Sequence, residues 1–206
     1  MAETTLAAGP TATAAAEIKP GVTIEQALPF ATYDDVTLTL DLWLPADPAG
    51  APIALNPPGI GDDLAQAGAI AVAIRMGGVG IPSVEGGFLD DHGVFIRARA
   101  EESACAIRFA RARAAELGSD DPIVVVYGLS NWGGSTAHAA LLGSTLEERW
   151  DAFAATGGGP PRQVECLVPY GSTRVDALVA TGGTYDLFVP AFTRDRPVTY
   201  VATHER

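Results

Sequence analysis

A serine in a glycine-rich segment is the residue of this chain best suited to nucleophilic chemistry. Ser130 follows an apolar, β-branched run at 123–127 and precedes a helix predicted over 135–142. Glycines around a strand-to-helix turn remove the clashes that a Cβ would cause, so the turn is tight and exposes the hydroxyl. The following helix would direct its N-terminus towards an oxyanion formed by attack of that hydroxyl. The spacing therefore predicts acyl-transfer chemistry at Ser130.

The elements that must position Ser130 alternate between strands and helices. Strands are predicted at Val36–Leu44, 52–55, Ile70–Ile74, 123–127 and 175–180, and helices at 62–67, 100–117, 135–142 and 145–155. The first strand shows period-2 alternation, whereas the third and fourth are apolar on both sides, as in a buried parallel sheet. We expect Asp62 to cap the first helix, and Ser144 with Glu147 to form a capping box for the last. This alternation predicts an α/β fold with right-handed crossovers.

Several residues with reactive or charged side chains receive a structural interpretation. We interpret Cys105 and Cys166, each flanked by apolar residues, as buried small hydrophobes rather than as a disulfide framework or a zinc site. We expect the arginines of the long helix to form a solvated face rather than an anion site. They are Arg97, Arg99, Arg108, Arg111 and Arg113.

Four short motifs resemble a known family when they are taken in order. They are Thr39-Leu40-Asp41-Leu42-Trp43-Leu44-Pro45-Ala46, the strand ending in Tyr127-Gly128, the segment with Ser130 and Gly133-Gly134, and Gly182-Gly183-Thr184-Tyr185-Asp186. Their order and spacing resemble the carboxylesterase-like esterase/lipase branch of the α/β-hydrolase superfamily over about residues 32–188. The resemblance implies a three-layer sandwich with a mostly parallel sheet, truncated after the strand at 175–180.

The nucleophile and oxyanion segments depart from the family pattern. The family's elbow is Gly-x-Ser-x-Gly, whereas this chain has one more residue between Ser130 and Gly133. Alignment from the strand places Ser130 at the nucleophile position, and alignment from the glycines places Asn131 there. The oxyanion donors implied are the Asn131 amide and the amide of Gly59 or Ile60, because the prolines before Gly59 have no N–H.

The general base and acid are the weakest part of the resemblance. The family order is serine, then Asp or Glu, then His, which Asp186 and His204 satisfy. The family carries these groups after further strands, so the chain resembles a hydrolase that lacks its C-terminal part. We interpret His138 as a structural helix residue and His92 as part of a polar loop.

The leading interpretation is a serine hydrolase acting on carboxylic esters. The alternative is a catalytically inactive or truncated remnant of the same fold that binds a small apolar ligand or a partner chain. A nucleotide-binding module is disfavoured because Gly77-Gly78-Val79-Gly80 fails the dinucleotide fingerprint and no phosphate loop is present. Paired aspartates at turns lack accompanying metal-ligand motifs, so we expect neither a metal nor a cofactor.

Composition limits the partners and the organisation of the chain. The formal net charge of −12 disfavours nucleic acid, and no apolar run of about 18 residues predicts a membrane span. We expect a flexible leader at 1–20, a hydrolase-like domain at 21–206, and cytoplasmic location unless the true start lies upstream and the protein is secreted. Strands missing from a parallel sheet would leave an apolar edge, which predicts a homodimer through that edge.

Overall fold

A single mixed sheet organises the part of the chain that the computed structural model describes. Described residues are 13–33, 36–56, 59–75, 92–129, 136–137, 139–140, 143–155 and 164–181. The strands are β1 Thr13–Lys19, β2 Val22–Tyr33, β3 Val36–Leu44, β4 Ile53–Leu55, β5 Ile70–Ile74, β6 Val124–Leu129, β7 Val164–Cys166 and β8 Ala177–Thr181. The helices are α1 Gly61–Gln66, α2 His92–Glu116 and α3 Leu146–Ala155, the last preceded by a 3-10 turn at Gly143–Thr145.

The sheet is parallel in one part and antiparallel in the other. Its strand order is β1-β2-β3-β5-β4-β6-β8, and β7 pairs with β2 beside this path. Strands β5, β4, β6 and β8 are mutually parallel, whereas β1, β2, β3 and β7 pair antiparallel, as does β3 with β5. The predicted α/β arrangement is confirmed for the four parallel strands.

Strand β3 is the clearest agreement between pattern and structure. Its leucines at 38, 40, 42 and 44 are buried, while the intervening side chains are more exposed. These leucines share a hydrophobic core with the alanine-rich stripe of α2, including Ala106, Ala110 and Ala114. On the opposite face of β3, the Trp43 ring contacts α1 at Gly61. Because side chains alternate between the faces of a strand, α1 and α2 lie on opposite sides of the sheet.

Strands β1 and β2 extend the sheet beyond the predicted strands. Residues of the predicted leader form β1, which pairs with the first part of β2. The register of β2 against β3 shifts twice, between Glu25 and Leu28 and between Pro29 and Ala31, and Ala27 has a positive φ of 55°. Asp41 Oδ1 accepts the Ala27 amide at 2.8 Å and pairs with Arg75 at 2.6 Å. These bulges interrupt the period-2 pattern that would reveal β2 in the sequence.

The prediction that the arginines of α2 form a solvated face is wrong for the four whose side chains the structure describes, and the side chain of Arg97 lies outside the described residues. Arg108 is 8% exposed and donates to Glu147 on α3 at 2.6 Å, and Arg99 pairs with the buried Glu102. Arg111 donates to the Arg174 carbonyl, and Arg113 forms an ion pair with Glu25 on β2. Their guanidinium groups pair with acceptors on α2 itself or on neighbouring elements, so they do not form a solvated face.

The interpretation of the cysteines as separate buried hydrophobes is also wrong. Cys105 on α2 and Cys166 on β7 form a disulfide. Glu101, one helical turn earlier, accepts the Val164 amide at 3.2 Å, and Arg108 lies one turn later, 3.4 Å from the Cys166 sulfur. Residues at these spacings share one helix face, so a single face of α2 fastens β7 against the sheet. We refer to this set of contacts as the α2–β7 junction.

Candidate functional site

The carboxyl ends of three parallel strands define the candidate site. Leu55 of β4 pairs with Val126 of β6, and Leu129 of β6 pairs with Thr181 of β8. Ser130 follows Leu129 directly in the chain. The predicted nucleophile therefore follows an internal strand that has a parallel neighbour on each side. Ligands of open α/β sheets bind beyond this edge.

The predicted site residues divide into two groups. Gly59 and Ile60 are described, and both are exposed in the connection from β4 to α1. Ser130, Asn131, Asp186 and His204 lie outside the described residues, so their assembly stays a prediction. Among the other histidines, His138 also lies outside them, and His92 begins α2 rather than belonging to a loop.

The connection from β4 to α1 begins at a residue with an unusual backbone conformation. Asn56 has φ of +54°, and Asn is one of the few non-glycine residues that adopts this region readily. Its amide donates to the Val72 carbonyl at 2.7 Å, and its Oδ1 accepts the Ile74 amide at 3.0 Å. Both bonds go to β5. This role of Asn56 was not predicted from the sequence, although an Asn before two prolines at a strand end indicates a turn that needs special geometry.

The other end of the connection rests on an aromatic ring. A Cβ added at Gly61 would lie 3.0 Å from the Trp43 ring, a contact so tight that the ring would have to shift, so glycine suits this approach. Between the two ends, Gly59 has φ of +65° and Ile60 is 38% exposed. Ile60, not Asp62, is the N-cap of α1, and no side chain caps the helix, so the predicted Asp62 cap is wrong. The Asp62 carboxylate instead accepts the Asp63 amide at 3.0 Å.

One lysine offsets the acidic pair that follows this connection. Lys19 on β1 reaches Asp62 at 2.8 Å and Asp63 at 2.7 Å. The hydrogen bond from Lys19 lowers the pKa of the Asp62 carboxyl, and the bonds to Asp62 and Asp63 raise the pKa of the Lys19 ammonium. The ammonium therefore neutralises one of the two negative charges next to Gly59 and Ile60.

The amino edge of the same strands is bonded differently. Asp176, just before β8, accepts the Val124 amide at 2.9 Å, and its own amide donates to the Val124 carbonyl. Arg174 pairs with Asp176 at 3.2 Å. Before β4, the buried Ser119 hydroxyl donates to the Ala51 carbonyl at 3.2 Å. These contacts pair polar groups at the amino ends of β4, β6 and β8.

The described part of the chain carries neither a metal-binding cluster nor a membrane-spanning helix. Within it, no group of three or more His, Cys, Asp or Glu side chains is arranged to hold a metal ion. Of the helices in that same part, none is both long and apolar enough to cross a membrane.

Comparisons with known proteins identify the fold. No protein-family model matches the sequence, and no curated protein matches it. Tannin acyl hydrolase, solved as a mercury derivative, superposes with a TM-score of 0.50 at 16% identity, covering 79% of this chain and 40% of that one. Tannin acyl hydrolase from Lactobacillus plantarum gives a TM-score of 0.46 at 16% identity over 81% and 40% of the two chains. Thermogutta terrifontis esterase 2 phosphonylated by sarin gives a TM-score of 0.40 at 24% identity, covering 52% of this chain and 41% of that one.

The described residues therefore share their fold with the tannin acyl hydrolase structure. The chain spans about two fifths of the length of the tannin acyl hydrolase structure. At 16% identity this likeness concerns the fold, and function depends on the site that the fold carries.

Proposed function

We propose that this chain is a serine hydrolase that acts on carboxylic esters through the nucleophile Ser130. In this proposal the Ser130 oxygen attacks the acyl carbon, and the amides of Asn131 and of Gly59 or Ile60 donate to the oxyanion. His204 takes the Ser130 proton and returns it to the leaving alcohol, and Asp186 orients His204. Water then attacks the acyl-enzyme, and Ser130 leaves as the acid is released.

The strand register is the observation that supports this proposal most directly. Leu55, the last residue of β4, is level with Val126, and β6 continues for three more residues to Leu129. Asn56 and Ser130 are thus the first residues after two neighbouring parallel strands, at the same edge of the sheet. A nucleophile and an oxyanion donor need this proximity.

The finer features of the resemblance belong to the same proposal. We assign the chain to the esterase/lipase branch and expect its domain, over 21–206, to be a three-layer sandwich. Helices α1 and α2, on opposite faces of β3, support three layers.

The edge strand β8 has no described strand on its far side and exposes Val179, which supports a homodimer through this edge. Light scattering that finds a monomer at all concentrations would reject the dimer.

The disulfide is relevant to the cellular compartment in which the protein resides. Disulfides form and persist in oxidising compartments and are rare in the cytosol. Between the two locations considered from the sequence, the Cys105–Cys166 bond supports secretion over the cytoplasm.

Covalent labelling with a fluorophosphonate tests the nucleophile. We expect the intact chain to label and to hydrolyse p-nitrophenyl acetate, Ser130→Ala to lose both, and Ser135→Ala to retain both. Ser135 is a matched control because it lies in the same segment and is predicted to be a first-turn helix residue. Labelling that survives Ser130→Ala would place the nucleophile elsewhere. A chain that never labels would instead support the non-catalytic, ligand-binding alternative.

A further inference from the structure

The side chain of Asn56 replaces a main-chain hydrogen bond of the sheet. Asn56 donates its amide to the Val72 carbonyl, as the next residue of a parallel ladder should. In a continuing ladder, the Ile74 amide would then donate to the main-chain carbonyl of Asn56. It donates to Asn56 Oδ1 instead, at 3.0 Å. The positive φ of Asn56 turns the backbone away from β5 while its side chain completes the ladder.

Asparagine combines two properties that this position requires. It tolerates φ of +54°, and it has a carbonyl oxygen at the right distance to accept from Ile74. Glycine would tolerate the backbone conformation but would offer no acceptor. The other end of the connection is fixed independently, since the Trp43 ring lies against Gly61.

We infer that Asn56 is a positioning residue for ester hydrolysis: its carboxamide fixes the connection that presents the Gly59 and Ile60 amides at the carboxyl edge of the sheet. The inference rests on the proposed function, because it concerns the donors of the same oxyanion. These two residues are exposed although both ends of the connection are anchored. An exposed segment with fixed ends provides donors that need little reorganisation when charge develops.

The proposed positioning effect of Asn56 depends on a single hydrogen bond of its side chain, from the Ile74 amide to Oδ1. Its Nδ2 is buried and has no hydrogen-bond partner among the described residues. Removal of the carboxamide therefore breaks the Oδ1 bond to Ile74 without breaking a second described bond. The variant Asn56→Gly does this and keeps the positive φ without strain.

Ser119 provides a matched control at the other end of the same strand. Its hydroxyl donates to the Ala51 carbonyl just before β4, and it is buried. Ser119→Ala thus removes one side-chain-to-backbone bond from the same part of the sheet, but at the edge away from the candidate site. We expect both variants to lower the melting temperature to a similar extent.

The decisive measurements are the steady-state constants for p-nitrophenyl acetate and hydrogen exchange at the Ile74 amide. We expect Asn56→Gly to lower kcat roughly 10- to 100-fold, because displaced donors weaken transition-state stabilisation. KM should change by less than about threefold, since the bond that is lost lies within the protein and makes no contact with the bound substrate. Exchange at Ile74 should accelerate in Asn56→Gly only. Ser119→Ala should keep the wild-type kcat.

A conservative variant keeps the inference falsifiable if Asn56→Gly folds poorly. Asn56→Asp retains both the acceptor and the tolerance for positive φ, so it should keep the Ile74 amide protected and have a higher kcat than Asn56→Gly. An unchanged kcat in Asn56→Gly, or an equal loss in Ser119→Ala, would overturn the inference while the proposed function stands. Hydrolysis that is absent from the wild type, or that survives Ser130→Ala, would instead remove the proposed function and this inference with it.

Discussion

The α2–β7 junction and the connection from β4 to α1 are held in contrasting ways. At the junction, one helix face combines the Cys105–Cys166 disulfide, a buried carboxylate bonded to the Val164 amide and the contact of Arg108 with the Cys166 sulfur. The connection is held by the two bonds of Asn56 to β5 and by the Trp43 ring against Gly61.

This contrast indicates a division between stability and chemistry. The disulfide and the buried contacts of Glu101 and Arg108 lie where we propose no reaction, whereas the ion pairs of Lys19 beside the connection are partly exposed. The connection at the carboxyl edge leaves Gly59 and Ile60 exposed, as a donor site requires. If the division holds, changes at the junction should lower stability with little effect on kcat, and changes at the connection should do the reverse.

The largest effect on stability should come from loss of the disulfide. Cys105 and Cys166 are 61 residues apart, and closing a loop of that length stabilises a fold by about 4 kcal/mol in the chain-entropy model. We expect the Cys105→Ala/Cys166→Ala variant to lose about this free energy of unfolding in urea. Alanine is preferred to serine because Cys105 is buried and a serine hydroxyl there would lack a partner.

Reduction gives an independent control for this variant. Dithiothreitol should destabilise the wild type as much as the double substitution does, and should have no effect on the variant. Below the unfolding transition, kcat should match the wild type. A large fall in kcat of the folded variant would contradict the division between the junction and the connection.

The junction also shows where the sequence stops predicting the fold. Strand β3 and the parallel strands were predictable from local periodicity, because the hydrophobic pattern of consecutive residues indicates whether one or both faces of a strand are buried. The pairing of Cys105 with Cys166 is a contact across 61 residues, and two apolar-flanked cysteines resemble core residues whether or not they pair. The bulges of β2 remove its periodicity, so a 12-residue strand has no alternating pattern.

A smaller effect is expected at the amino edge of β6. Asp176 accepts the amide of Val124, a fully buried residue. Asp176→Ala leaves that amide without its acceptor and should cost about 1–3 kcal/mol of unfolding free energy. Asp176→Asn keeps an acceptor for the Val124 amide and loses the charge pairing with Arg174 at 3.2 Å and with Arg111 at 3.9 Å. It should therefore cost less than Asp176→Ala.

Both Asp176 variants should retain the wild-type kcat, because they act at the edge opposite the candidate site. Chemical denaturation measures the two stabilities, and ester hydrolysis measures the two rates. Equal destabilisation by Asn and Ala would show that charge, rather than the hydrogen bond, matters at this position. A loss of kcat without a loss of stability would indicate that the reaction takes place near the amino edge of the sheet instead of the carboxyl edge.

The candidate site was predictable to the extent that it depends on chain order. Ser130 and the Gly59–Ile60 segment were found because each follows an apolar strand, and the register confirms that β4 and β6 are parallel neighbours. The role of Asn56 could not be found in this way. Its bond to Ile74 joins residues 18 apart, and it depends on a side chain that takes the place of a main-chain carbonyl.

The smallest effect concerns two carboxylates whose pKa values move in opposite directions. Burial raises the pKa of Glu102 above its ordinary value of 4.5, against the lowering effect of Arg99. The folded state then binds more protons than the unfolded state between these two pKa values, so stability falls as the pH rises through that window. Relative to Glu102→Gln, the wild type should become more stable as the pH is lowered towards 4.5.

Asp62 provides the opposite sign within the same experiment. The hydrogen bond from Lys19 lowers its folded pKa below the ordinary 3.8, so its stabilisation is present above 3.8 and is lost as the pH falls through the folded value. Relative to Asp62→Asn, the wild type should therefore become less stable on acidification. Salt should weaken the Asp62 slope more than the Glu102 slope, because exposed charges are screened and buried ones much less. Thermal melts of the wild type and the two variants from pH 3 to 7 measure how stability depends on pH at each site. Slopes of the same sign at both sites would refute either the burial of Glu102 or the pairing of Asp62 with Lys19.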